Sequence, residues 1–309
     1  MIIEGATTLW RFHVAKWPRI LAAVLIVLAV ELGYDWLELS RPVFSYGAAA
    51  IVTTALSIFI VFRVNESYAR WWEARTLWGG IVNSSRSFAR QVTTVVSPRS
   101  EDPTEIAEVE ALRRELVHRQ IAWVNALRLS LRREEEWEQL EPFLDASELS
   151  RLRRLANKPA QLLQVQSERL AEVLRSGRLS EFGRLMLDGT LAKLLDHQGG
   201  CERIKHTAFP DRVSFFNQTL AWGVAVLIPL CVIDTDHRFD LVEIVVVPCM
   251  MLAFIITERL GSELRNPFEG LANDTPMTAI CRTIEIDLRQ QLGEVEVPAP
   301  IEAVDGVLM

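Results

Sequence analysis

From Pro42 to Phe62 the chain runs 21 residues without a charge, and then Arg63, Glu66, Arg70, Glu73 and Arg75 arrive within the next 13 positions. As a helix, the uncharged run spans roughly 31 Å, the thickness of a bilayer's hydrocarbon core. No proline or turn pair marks the junction, and between Val43 and Gly79 only Gly47 disfavours a helix. The pattern predicts one continuous helix that leaves lipid and carries on in water. This constrains the fold more tightly than composition does, since a soluble protein could also be 50% hydrophobic and 24% charged over 309 residues.

Three further segments read as membrane spans. Val213–Ile233 is again 21 residues without charge. Ile20–Val30 is only 11 residues, but Trp17 and Trp36 bracket it at the separation expected of interfacial tryptophans. Ile244–Thr257 adds 14 more. Arg11, Lys16 and Arg19 precede the first span as in a signal peptide, yet no small-x-small cleavage site follows, so it is read as a resident span. The expectation is an all-α membrane protein with four transmembrane helices. Its segments are residues 1–92 (the first two spans), 93–212 (a cytoplasmic helical region), 213–265 (the third and fourth spans) and 266–309 (a cytoplasmic C-terminal segment).

Basic residues orient the spans. The short connections Glu31–Arg41 and Asp234–Glu243 hold one basic residue each, against three and four acids. Arginines and lysines crowd the other ends, which places both termini in the cytoplasm. The four cysteines, Cys201, Cys231, Cys249 and Cys281, form no CxxC pair and read as free thiols. A net charge of −7 argues against a nucleic-acid partner.

Within 93–212, Asp102-Pro103 followed by Glu105 is a helix start, and apolar residues at helical spacing carry that helix to near Glu138. Helices are expected over Ser147–Ala156, Pro159–Leu174 and Leu179–Leu195, and no alternating strand pattern is present. No nucleophile elbow, P-loop, dinucleotide fingerprint or zincin motif occurs, so no enzyme activity and no cofactor are expected. Asp196, His197, Cys201 and His206 lie close in sequence. The Gly199-Gly200 pair, read as a helix end, would split them, and no metal site is expected.

Projected as a helix, Thr54, Ile58, Phe62, Glu66 and Glu73 share one stripe, with Arg63 and Arg70 about 80–100° away. If several copies faced a common axis, Thr54, Ile58 and Phe62 would form a hydrophobic neck, and Glu66 and Glu73 an acidic vestibule. Apolar rings gate by dewetting, and acidic rings favour cations. The plainer reading is a packed face with ordinary intrahelical ion pairs.

The run Phe62-Arg63, Asn65, Tyr68-Ala69-Arg70-Trp71-Trp72-Glu73-Ala74-Arg75, Leu77-Trp78-Gly79-Gly80-Ile81-Val82 and Ser85-Arg86 resembles the bestrophin family in its prokaryotic branch. Asn266-Pro267-Phe268-Glu269-Gly270, the stretch around Cys281-Arg282-Thr283-Ile284-Glu285, and Gly199–Ile204 follow in the family's order. The resemblance implies a homopentameric ion channel in the bacterial inner membrane, with lipid and monovalent ions as its other partners. It implies a neck at Thr54, Ile58 and Phe62, although the family carries a bulkier residue where Thr54 stands. A second, cytoplasmic aperture would fall at Leu185 or Met186. Animal members are calcium-activated chloride channels with an acidic clasp after the NPF segment. Here only Glu269 and Asp274 lie there, too few carboxylates to hold calcium. Prokaryotic members favour small cations, and with the acidic stripe this puts sodium and potassium first, with a chloride or anion channel as the alternative. A secondary transporter or a non-conducting membrane interaction protein is the alternative of another class.

Overall fold

A computed structural model describes residues 17–36, 46–207, 241–304 and 306–308, with isolated positions at 219, 222 and 223. The third expected span, Val213–Ile233, lies almost wholly outside the described residues, as do residues 37–41 and 234–240 of the two connections used for orientation. The described chain is helical, and no strand occurs among the described residues beyond a single bridge between Val304 and Val307. In chain order the helices are α1 Trp17–Trp36, α2 Tyr46–Val95, α3 Pro103–Arg132, α4 Ala146–Arg153, α5 Lys158–Arg175, α6 Glu181–His206, α7 Leu241–Leu264 and α8 Met277–Gln291. A 3-10 turn at Trp137–Leu140 follows α3.

α2 runs unbroken for 50 residues, roughly 75 Å, so the junction between greasy and charged sequence is indeed interior to one helix. Among the described residues α2 is the one helix whose length and apolarity suffice to cross a membrane by that criterion alone. The chain divides into two compact units. One comprises Glu4–Arg70 with Ala208–Arg265, in which α1 packs on α7. The other comprises Trp71–Thr207 with Asn266–Met309.

In the second unit α3 is the central helix, packed by α5, α6 and α8. Its start follows from sequence: the Asp102 carboxylate accepts from the Thr104 amide at 3.2 Å, Pro103 occupies the first turn, and Glu105 complements the dipole. Asn157 and Ser180 cap α5 and α6 in the same way, accepting from the Ala160 and Gly183 amides at 3.0 Å each. α3 ends at Arg132, short of the expected Glu138, because Arg133 turns left-handed with φ of 57° and its amide folds back onto the Ser130 carbonyl. The core gathers Trp78, Phe88, Trp123, Ile121, Leu127 and Phe268, all essentially without exposure.

Several buried polar groups in this unit are paired, although the Trp78 indole nitrogen and the Thr275 hydroxyl are buried without a partner among the described residues. Arg119 of α3 reaches Glu148 at 3.0 Å and Gln166 at 3.3 Å, and Gln166 donates to the Leu116 carbonyl at 2.7 Å. The Trp123 indole donates to Gln198 at 3.2 Å, and Gln198 donates in turn to Glu202 at 2.7 Å and Asn157 at 3.1 Å. Gln120 donates to Ser85 at 3.0 Å and Thr190 to Gln91 at 2.8 Å, which fixes the last turns of α2 against α3 and α6.

The glycine pair does not end α6, which was expected to stop near Leu195 and runs instead to His206. A β-carbon added at Gly200 would come within 2.9 Å of Leu77, and one at Gly80 within 2.6 Å of the His197 ring. These glycines permit the close crossing of α2 and α6, a packing use of the residue type that sequence alone does not separate from a helix stop.

Candidate functional site

α2 presents two different faces in the unit that holds its first half. Leu56, Ile60, Arg63 and Ser67 are buried. On α7, Gly261 lies against Val64 and Ser67, where an added β-carbon would meet the Val64 side chain at 3.2 Å. The opposite face is bare: Thr54 and Glu66 are exposed, Ile58 is 50% exposed and Phe62 64%. The three residues expected to form a neck therefore stand on one uncovered stripe of a single chain. Exposed apolar rows of this kind are interaction, lipid or passage surfaces.

In the other unit Glu73 is also exposed, but it does not stand alone. Arg203, near the end of α6, pairs with its carboxylate. Sequence reasoning missed this partner because 130 positions separate the two residues. The tryptophan cluster divides its work: Trp78 is wholly buried, and Trp71 donates to the Asn273 carbonyl at 2.8 Å. Trp72 is 56% exposed. Leu185 and Met186, the aperture candidates, lie on the exposed face of α6 near its start. Phe182, one turn earlier and 85% exposed, shares that face and was not singled out. Its spacing of three and four residues from Leu185 and Met186 was the available signal.

The segment after α7 is held internally. Phe268 is buried, and the Asp274 carboxylate accepts the amides of Glu269 at 2.7 Å and Leu271 at 3.0 Å. Burial pushes the Asp274 carboxyl upward in pKa, while those amides oppose the shift. Glu269 pairs with Lys205 at 2.9 Å. Of the two acids after the NPF segment, Glu269 is thus paired with Lys205 and Asp274 is engaged through one oxygen, its other being buried without a partner among the described residues. His197 and Cys201 face different surroundings within α6: the His197 ring sits over Gly80, whereas Cys201 is buried and its thiol is pushed up to about 12 by desolvation.

Known proteins match over nearly the whole chain. The profile described as Bacterial/Fungal Bestrophin protein matches residues 9–290. The Escherichia coli K12 protein named voltage-dependent anion channel-forming protein YneE is 33% identical over 285 residues, covering 92% of this chain and 88% of its own. A Mesorhizobium japonicum protein named voltage-dependent anion channel-forming protein mll4386 is 31% identical over 273 residues, covering 88% and 82% respectively. Among solved structures, a bacterial bestrophin homolog from Klebsiella pneumoniae is similar at a TM-score of 0.80 and 25% identity, over 90% of this chain and 98% of that one. With its profile, its relatives and its helical architecture in agreement, the chain belongs to the bacterial and fungal bestrophins, a family of ion channels and not of enzymes.

Proposed function

We propose that copies of this chain, five in number, assemble around a common axis as a passive ion channel of an inner membrane, with four spans per copy and both termini cytoplasmic. The second helix α2 lines the passage. The observation that carries this reading is the bare stripe of Thr54, Ile58 and Phe62 opposite a buried face of Leu56, Ile60 and Ser67. Five such stripes would make a narrow apolar neck in which a hydrated ion must shed water, and a neck of that kind closes by dewetting. Leu185 and Met186 would form a second constriction on the cytoplasmic side.

Anions are the favoured cargo. The sequence reading put sodium and potassium first, and two observations move the balance to its alternative. Curated relatives from separate genera carry the name of anion channel-forming proteins. The acidic ring that argued for cations is also weaker than it looked, because Arg203 sits on Glu73 and offsets its charge. A cation-preferring channel is the second reading, favoured by Glu66, which is exposed on the stripe.

Reconstitution into liposomes under a sodium chloride gradient separates the two. A reversal potential near that of chloride supports the anion reading, and one near that of sodium supports the second. Ile58→Ala and Phe62→Ala test the neck itself. Each widens and wets it, and every 1.4 kcal/mol removed from the barrier raises flux about tenfold. A transporter carrying the same changes would slow instead, and a membrane anchor would conduct in no variant. Unaltered or reduced flux in both variants overturns the assignment of α2 as the lining helix.

A further inference from the structure

The last turns of α2 and the end of α8 enclose an open cavity of about 270 Å³, outside the neck and aperture just described. It is lined by Arg86, Ser87, Arg90 and Thr93 of α2 and by Gln291 of α8. Arg86, Arg90 and Thr93 fall at successive turns of one helix, so they share a face. Arg86 is already committed, its Nε donating to Asp287 at 2.8 Å. Thr93 spends its hydroxyl proton on the Ala89 and Arg90 carbonyls at 3.0 Å each.

Arg90 differs from both. It is exposed, and among the described residues its guanidinium meets no carboxylate or carbonyl. The Ser87 hydroxyl and the Gln291 amide also make no hydrogen bond among the described residues. Three residues with uncommitted donors therefore line a space that no carboxylate lines, the neighbouring Asp287 being held by Arg86. Two guanidiniums against one carboxylate leave the cavity net positive.

We infer that this cavity binds a single phosphate-type oxyanion. A planar guanidinium grips two oxygens of a tetrahedral anion at once, which a halide cannot exploit, and the hydroxyl and amide supply donors for a third. A volume of about 270 Å³ has room for inorganic phosphate or a small monophosphate, the class of occupant proposed. The inference stands apart from the identity of the conducted ion, because the site needs only the α2–α8 contact of one chain.

Calorimetric titration of the full-length protein in detergent, at constant ionic strength, tests it with inorganic phosphate in one arm and glycerol 3-phosphate in the other. Saturable binding near one equivalent per chain is expected. Arg90→Gln should weaken it by about tenfold or more, the loss of a charge-assisted pair of hydrogen bonds. Gln291→Glu, which places a carboxylate in the lining with Arg90, should abolish it, and Arg175→Gln, at an exposed arginine outside this lining, should leave it unchanged. Binding of phosphate alone assigns the site to the free ion, and binding of both assigns it to monophosphates generally. No saturable binding in either arm, equal binding by wild type and Arg90→Gln, or equal weakening by Arg175→Gln overturns the inference.

Discussion

At the turn from α2 to α3 the Glu105 carboxylate accepts from the Arg99 amide at 3.2 Å, the Arg99 Nε at 3.1 Å, the Ser100 amide at 3.1 Å and the Ser100 hydroxyl at 2.6 Å. The Ser100 hydroxyl first, then the Arg99 contacts, hold this carboxyl down to about pH 2, against an ordinary value of 4.5. A folded-state pKa below the unfolded one means that the group contributes stability above about pH 4.5 and loses it as pH falls toward 2. Glu105→Gln should therefore flatten the acid-unfolding profile in that window while leaving the profile at neutral pH parallel to wild type. Thermal melts between pH 2 and 5 check this, and an unchanged acid limb would show that the clasp contributes nothing. Asp102, Pro103 and Glu105 were legible as a helix start because capping chemistry is local. The Glu73–Arg203 pair was not, because a charge is cancelled through space by a residue far along the chain. The sign of the field along α2 depends on such pairings, so the acidic stripe read from helix phase, which with the family resemblance had put cations first, overstated the negative charge.

At the level of the helix, Gly80 and Gly200 set how closely α2 and α6 approach. Gly80→Ala would drive a methyl into the His197 ring, and Gly200→Ala would drive one into Leu77. Overpacking of this kind costs about 1–3 kcal/mol, so each variant should melt several degrees below wild type. Gly199, with open space at its β-carbon position, is the internal control and should tolerate alanine. Equal melting of all three variants would refute the packing role. The start of α6 at Ser180 could be read from its cap, but its end could not. A glycine pair stops a helix or admits a neighbour, and only the neighbour, Leu77, decides between them. The continuity of α2 was legible for the opposite reason: nothing in its sequence terminates a helix, and nothing does.

A single chain leaves a row of apolar side chains bare. Ile51, Ile58, Phe59 and Phe62 on α2 are each at least half exposed, as are Phe182 and Leu185 on α6. In the proposed assembly, lipid would cover some of this area and neighbouring copies the rest. Native mass spectrometry of the detergent-solubilised protein should give a complex of five chains. A monomer would remove the axis that a shared passage needs, and with it the reading of the stripe. Membership of the family was legible from the Arg70–Arg75 motif and the glycines after it, a run of residue types specific enough to mark the family. The glycine contacts also restrict how such an assembly could open. Gly261 seats α2 at Val64 in one unit, and Gly80 seats it at His197 in the other. Spinning α2 about its long axis would swing β-carbons into both seats, like a key turned against its wards. If α2 lines a passage as proposed, motions that spare them, such as flips of the Phe62 ring or an outward lean of the helices, are the ones by which it would widen.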